Sequence, residues 1–498
     1  MIPTAGRRSG AVSTAFSTAF STIRVAPGSP PATDWRRAAR RIGACIGLTT
    51  LCWTGSAGAE DLAQVLDIAQ QNDPVLAAAR SGYEAQRQTV PQARSSLLPS
   101  LIATGNTSDN RRELVSPNPA PPGVPQVDKF NDHGYTAQLR QPILNLASWY
   151  TYTSTKALVE QAEWDLAATA QNLLVRTAEA YLNVLRAQDL LESSQAQETA
   201  VKRQLEQVQQ RFDVGLVAIT DVLESTAIYD DAVVQRIQAD GDHDNSFNSL
   251  TTLTGESFVE ISKLSGKLPV VPPEPRDVEA WVQSAYEDNL GIRASRARLE
   301  SARRTLRARR ADFLPTIDAT ATRNRTNNGS FSFFGAGTQT QTDIFALEMS
   351  LPIYQGGFRT ARAREARALF KQAASQLEER LWTANRDVRN LYRAVTTDVV
   401  RVQARLKAIR SSESALEATQ TGYEVGTRNI VDVLQAQQRL YAAQFNYADS
   451  RYSYVLNLLR LKQAAGTLDE QDLMDVNSFI DQNDTVRRLA SLQARSAP

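Results

Sequence analysis

The side chains best placed for chemistry in this 498-residue sequence are carboxylates that follow glycine turns. The stretch Arg211-Phe-Asp-Val-Gly215-Leu-Val-Ala-Ile-Thr220-Asp221-Val-Leu223-Glu224 has a second copy, Gly422-Tyr423-Glu-Val-Gly426-Thr-Arg428-Asn-Ile-Val431-Asp432-Val-Leu434-Gln435, in which Gly426 stands 211 residues after Gly215. Asp221 and Asp432 follow their glycines at the same distance. Carboxylates gathered at one level of a pore attract cations. In the first turn of a helix the same groups only complement its dipole, a contribution of about 0.3–1 kcal/mol. Arg428 lies one helical turn before Asp432, which suits an i,i+4 pair, and its fork could instead reach Asp221 or Thr220 on a neighbouring helix. Enzyme chemistry has little to build on. The two histidines, His133 and His243, have neither HExxH spacing nor a cysteine partner beyond residue 59, so no metal, cofactor or nucleophile site is expected. Asp242-His243-Asp244 reads as a solvated helix face.

Each copy of the stretch lies between two long amphipathic runs, as the tip of a helical hairpin does. The duplication extends beyond it. Thr254-Gly255 matches Ala465-Gly466, Gln141-Pro142-Ile143 matches Leu351-Pro352-Ile353, and Leu98-Pro99-Ser100 matches Leu314-Pro315-Thr316. Such a period is too long for a solenoid repeat and indicates two copies of one large module, residues 60–271 and 272–466, followed by a polar tail, 467–498, with little to pack.

Residues 148–211 read as one helix of roughly 95 Å, with returns over about 220–253 in the first module, and about 357–422 and 429–465 in the second. Leu166, Ala170, Leu173, Thr177, Ala180 and Val184 form one seam, and Leu174, Ala178, Tyr181 and Leu185 a second beside it. Two seams imply a neighbour on each side, as in a tube or a solid bundle. The abundance of Ala, Gln and Thr favours the thin wall of a tube.

After Pro99 and Pro315 the period changes to two. Tyr135, Ala137 and Leu139 alternate with Thr136, Gln138 and Arg140, and Phe345, Leu347, Met349 and Leu351 with Ala346, Glu348 and Ser350. One hairpin per module is expected, at about 99–144 and 315–352. The alternation suits a membrane barrel with an apolar outside, and also a soluble sheet resting on a core. Four strands cannot close a barrel in lipid, so a barrel here must be shared between chains.

Residues 1–59 read as a targeting segment: arginines up to Arg41, an apolar run from Ile42 to Trp53, then Ala57-Gly58-Ala59, with cleavage expected after Ala59. Cys45 and Cys52 both lie within it, in contexts that do not favour lipid attachment. The full chain has a formal net charge of +1, and the segment carries seven arginines and one aspartate, so the remainder is weakly acidic and gives no reason to expect nucleic acid.

Arg211 to Asp221, Leu351-Pro-Ile-Tyr-Gln-Gly-Gly357, Tyr423 to Leu434 and Ala465-Gly-Thr-Leu-Asp-Glu-Gln-Asp472, taken together and in this order, resemble the TolC-type outer-membrane efflux proteins. The resemblance covers about residues 60–475. It implies a mainly α fold with a β-barrel part: a homotrimer whose duplicated helical hairpins form a periplasmic tunnel and whose four strands per chain make a twelve-stranded barrel in the outer membrane of a Gram-negative cell. It also implies passive export of small molecules or proteins, in tripartite efflux or type I secretion. The implied partners are outer-membrane lipid, a periplasmic membrane-fusion adaptor and an inner-membrane pump of RND, ABC or MFS type. The family's periplasmic aperture maps to Gln210, Thr220, Asp221, Tyr423, Arg428 and Asp432, and its adaptor-docking turns to Val214-Gly215-Leu216 and Val425-Gly426-Thr427. One departure bears on charge. The family's second aspartate in the later module is Gln435 here, while Glu224 offers a carboxylate at the equivalent place in the first. A cation-selective mouth is the expectation. A soluble periplasmic coiled-coil scaffold is the alternative, and it leaves the proline-bounded hairpins without a purpose.

Overall fold

The computed structural model describes residues 59–116, 119–122, 124–266, 268–332 and 335–488. The targeting segment before Ala59, both cysteines and the last ten residues lie outside the described residues. The first module comprises α1 (Leu62–Asn72), α2 (Pro74–Arg87), α3 (Thr89–Ser95), β1 (Ser100–Glu113), β2 (Val127–Leu144), α4 (Leu146–Asp213), α5 (Ile219–Thr254) and β3 (Glu260–Leu264). The second comprises α6 (Val278–Asp288), α7 (Leu290–Ala311), β4 (Thr316–Ser332), β5 (Gly335–Ser350), α8 (Phe358–Glu424) and α9 (Ile430–Ala465). α10 (Glu470–Asn477) and β6 (Ile480–Arg487) follow. None of the described helices is long and apolar enough to cross a membrane.

Local chemistry sets the breaks. Asp73 ends α1 and caps α2 by accepting from the Leu76 amide at 2.9 Å, with Pro74 filling the first position, where no amide is needed. Its carboxylate also pairs with Arg176 of α4 at 2.7 Å, which fixes α2 to the long helix. α4 runs 68 residues, about 100 Å.

The helices form a wall of four columns. α4 packs on α5 along one side and on α9 and α7 along the other, and α8 packs on both α9 and α7. Both seams on α4 are therefore in use: Leu173, Thr177 and Val184 of the first and Leu174, Ala178, Tyr181 and Leu185 of the second are buried. Two of the columns are composite. Left-handed Gly255 ends α5 beside Asn72, just ahead of α2, and left-handed Gly466 ends α9 against Asp288 and Asn289, at the start of α7. The Asn289 amide donates to the Ala464 carbonyl across that second junction at 2.9 Å. The outer columns, α5 with α2 and α3 at one edge and α8 at the other, each have a helical neighbour on one side within the chain.

Around the middle of the wall lies an apolar cluster in which α1, α6, α10 and the two-stranded sheet β3–β6 cover the long helices. Leu62, Leu66, Tyr181, Phe247, Ile261 and Val486 are buried within it. Each such large apolar side chain contributes about 1.5–3 kcal/mol relative to exposure. The Tyr181 hydroxyl donates to the Ser262 carbonyl at 2.6 Å, so its polar end is satisfied.

This cluster differs from the sequence reading in two places. The stretch after Gly466 is not an idle polar tail: α10 buries Leu473, and β6 pairs antiparallel with β3, burying Val486. A few apolar residues among acidic ones suffice because a cover needs only one buried face. His243 does not lie on a solvated face. It is fully buried with its ring edge-on to Phe247 at 5.2 Å, because it falls at helical spacing with Ala239, Phe247 and Leu250 on the buried face of α5, while Arg488 binds Asp244 and Asn248 beside that face.

Within the same region the Tyr452 hydroxyl donates to the Asp189 carboxylate at 2.6 Å. Burial pushes the Asp189 carboxyl up from the ordinary carboxylate range, and the Tyr452 bond opposes that only in part. A carboxyl raised on folding binds protons more tightly in the native state, so its contribution is present at acid pH and is lost as pH rises through the folded value. Asp189→Asn, which keeps an acceptor for Tyr452, is therefore expected to raise the melting temperature at pH 7 and to leave it unchanged near pH 3.5. Paired thermal melts check this.

The four-stranded sheet has the antiparallel order β1-β2-β4-β5, leaving β1 and β5 as edges. Leu101, Leu139, Ala321 and Phe345 line up across it, with Leu347 and Ala319, then Met349 and Ile317, in the rows towards the helices. Phe345 is 74%, Leu347 71% and Met349 69% exposed, so this face has no core beneath it. In the other direction the apolar rows give way to the ion pair Arg323–Asp343 at 2.7 Å. The opposite face is polar, with Arg140 paired to Asp318 at 2.7 Å and Thr136 bonded to Asn324.

Candidate functional site

The two hairpin tips lie together at the end of the wall away from the sheet. Val201, Val208, Val222, Ile430, Val433 and Leu434 form a buried cluster drawn from α4, α5 and α9, and Tyr423 of α8 packs against it with Phe212 and Val217. The tips are thus one unit rather than two independent turns.

The turns themselves are built alike. Val214 closes α4, Gly215 takes φ 73°, and the Leu216 amide returns to the Arg211 carbonyl at 2.9 Å. Val425 closes α8, Gly426 takes φ 78°, and the Thr427 amide returns to the Gly422 carbonyl at 2.8 Å. Only glycine adopts this backbone readily. Val214, Leu216 and Val425 are 70%, 73% and 69% exposed, so both turns present apolar side chains outward.

The charged residues behind the turns differ between the copies. Asp432 lies in the first turn of α9, its amide capped by Asn429 at 2.9 Å, and its carboxylate faces Arg428 at 3.7 Å. This is the i,i+4 arrangement; within the chain the ion pair of Arg428 is with Asp432, and Asp221 and Thr220 are not its partners. Asp221 lies in the first turn of α5, where Ala218 supplies no side-chain cap, and its oxygen is 3.5 Å from the Thr220 hydroxyl. Glu224, Gln210 and Gln435 are exposed. Gln435 accepts from Arg439 at 3.4 Å, and both border a cleft shared with Arg428, Asp432, Ser411 and Thr419. Where the family's second aspartate would put a negative charge, this chain has an amide flanked by two arginines, and Glu224 is the exposed carboxylate nearest to Asp221 in sequence.

One contact escaped sequence reasoning. The Arg211 guanidinium lies 4.8 Å from the centre of the Tyr423 ring, joining the first hairpin to the second. A cation over an aromatic face is worth about 0.5–1 kcal/mol at an exposed site. The duplication contains the signal for it. Position 211 corresponds to Gly422 in the second copy, and position 217, a valine, corresponds to Arg428. Each module carries one arginine, moved by six residues. Gly422 is what accommodates the second one, since a Cβ there would come within 2.9 Å of the Arg428 side chain. No group of three or more metal-ligating side chains occurs among the described residues.

The family model described as "Outer membrane efflux protein" matches residues 65–256 and 281–467, one span in each module. Outer membrane protein TolC of Vibrio cholerae is 33% identical over 88% of this chain and 97% of its own length. The alkaline protease secretion protein AprF of Pseudomonas aeruginosa is 28% identical over 82% of this chain and 84% of its own. Among solved structures, the Campylobacter jejuni CmeC outer membrane channel superimposes with a TM-score of 0.70 over 85% of this chain and 90% of that one, at 19% identity.

Proposed function

Since the chain belongs to the outer membrane efflux protein family, we propose that three copies close one duct, gated where their hairpin tips converge. The protein is an outer-membrane exit duct for efflux and type I secretion, with its helical tunnel in the periplasm. The family and these relatives are channel proteins rather than enzymes. The observation that carries the trimer is the sheet: four strands, apolar on one face, with both edges unpaired within the chain. An open edge in lipid leaves backbone groups without partners. β1 of one copy runs antiparallel to β5 of the next, and three copies close twelve strands. The helical wall ends at two open columns in the same way. Twelve columns spaced by 8–10 Å make a ring roughly 35 Å across.

At the tips, Arg211–Tyr423 joins the second hairpin to the first, Arg428–Asp432 braces the second hairpin's own turn, and Gln210, Thr220, Asp221, Glu224 and Gln435 complete the aperture. The energy and the choice of cargo come from an inner-membrane pump, recruited through a periplasmic adaptor that docks on Val214-Gly215-Leu216 and Val425-Gly426-Thr427. Apolar side chains on exposed turns are suited to receive the hairpin of such a partner.

Both native cysteines precede the expected cleavage point, so an introduced cysteine is the only thiol of the mature chain. Leu216→Cys and Val425→Cys are expected to crosslink in cells to a periplasmic adaptor, whereas a cysteine at exposed Arg386, about 60 Å along α8 from the turn, is not. Equal crosslinking at all three positions, or none at the turns, removes the docking assignment. In planar bilayers the duct is expected to conduct, with cation preference set by Asp221, Glu224 and Asp432. A reversal potential without preference in asymmetric salt would overturn that part.

A further inference from the structure

α7 carries eight arginines and a single acid, Glu300, in 22 residues. Arg296, Arg303, Arg307 and Arg310 follow one another at helical spacing and are all exposed. Glu300 is shared by Arg303 at 3.1 Å and Arg304 at 2.9 Å. Among the described residues no ion pair serves Arg307 or Arg310. A solvated helix face ordinarily mixes both signs, and one that sets the single acid Glu300 among four exposed arginines points to an anionic partner.

The stripe is on the outer side of the wall. α7 is an inner column, between α4 and α8, so closing a ring of chains leaves it uncovered. Its opposite face, with Gly291, Ser295 and Arg298, lines a cavity that Gln161 of α4 and Gln376 of α8 also border. Flanking helices that meet over one face of the middle one make that face concave, the side of the lumen. Arg296 agrees with this, since it donates to the Tyr286 carbonyl of α6, in the layer that covers the wall from outside.

Its height is equally defined. α7 ends at Ala311, and β4 begins at Thr316 with only Pro315 and three other residues between. Phe313 and Leu314 are each 45% exposed, and Ile353 and Tyr354, where β5 leaves the sheet, are 93% and 85% exposed. The arginines therefore sit immediately below an apolar collar, and the collar runs into the apolar rows of the sheet. We propose that the Arg303–Arg307–Arg310 stripe binds anionic phospholipid headgroups of the periplasmic leaflet, fixing the depth of the barrel in the membrane. Arginine pairs bidentately with phosphate, and a basic residue at an anionic surface strengthens association by roughly fivefold.

The inference rests on the outer-membrane barrel. Its test is the lipid carried by the whole particle purified from outer membranes in mild detergent, with phosphatidylglycerol plus cardiolipin measured against phosphatidylethanolamine by mass spectrometry. The native particle is expected to be enriched in anionic lipid over the membrane it came from. R303Q/R307Q/R310Q is expected to fall to the bulk ratio, R303K/R307K/R310K to keep part of the enrichment, and R405Q/K407Q/R410Q, which removes equal charge from exposed positions far along α8, to keep all of it. If the triple glutamine variant does not assemble, Arg307→Gln and Arg310→Gln singly take its place. Native and triple-variant particles with the same ratio, or a native particle without enrichment, overturn the proposal. Fractionation of the same samples distinguishes this from failure of the duct itself, because a protein absent from the outer membrane would sink that reading instead.

Discussion

R428S/Y423F is expected to raise the single-channel conductance of the reconstituted protein several-fold, and R428S/Y423A further. Arg428→Ser removes the partner of Asp432, which lies 3.7 Å away. Tyr423→Phe keeps the ring beneath Arg211, whereas Tyr423→Ala removes it together with its packing on the buried cluster of the tips. Exposed ion pairs and cation–π contacts are each worth up to about 1 kcal/mol. Within one chain that is a small effect. In a ring of three, each loss occurs three times around one axis, and the aperture widens when the ring loosens as a whole. Conductance is therefore far more sensitive than melting temperature, which should move by little. Unchanged conductance in both variants would mean that these contacts stabilise the hairpin pair and have no part in gating.

Gly466→Ala should be strongly damaging for a single methyl group, and Gly255→Ala is its internal control. Both glycines end a long helix with positive φ, at 81° and 74°. An L-residue there costs about 1–2 kcal/mol at either position. They differ in what the methyl group meets. At Gly255 the nearest atom is the Asn72 Cβ at 3.7 Å, an ordinary contact, whereas at Gly466 the Asp288 backbone lies at 2.4 Å and the Asn289 nitrogen at 2.6 Å. Backbone cannot swing aside as a side chain can, so α9 must separate from α7 and the Asn289–Ala464 bond is strained. With overpacking added, Gly466→Ala is expected to lose roughly 2–5 kcal/mol. Melts of the two variants side by side check this. Equal losses would show that the junction yields and that only φ matters.

Much of this architecture was legible because it was written twice. Matched prolines and glycines marked the strand and helix ends in both modules, and the tip stretch stood out as a pair. The double seam on α4 is buried at Leu173, Leu174, Thr177, Ala178, Tyr181, Val184 and Leu185, while Leu166 and Ala180 are half-buried and Ala170 is exposed, because periodicity over a very long helix outlasts local exceptions. Alternation at Phe345, Leu347 and Met349 gave the sheet an apolar face for the same reason. What escaped was short and non-local. β3 and β6 are strands only because they pair with each other across nearly half of the chain, Glu260 facing Arg487. No local pattern states that, so 467–498 read as polar. His243 read as solvated because its two flanking aspartates hid its place on the buried stripe with Ala239, Phe247 and Leu250. At the tips, the Arg428–Asp432 pair followed from helical spacing, whereas Arg211–Tyr423 joins two hairpins and became visible only in space.

The central claim is that neither the sheet nor the wall is complete in one chain. The most direct measurement is the protein mass of the particle extracted by detergent from purified outer membranes, determined by light scattering with the detergent contribution subtracted. Three mature chains are expected, resistant to dilution. A monomer or dimer from that membrane would contradict the twelve-stranded closure and leave the edges β1 and β5 without their partners.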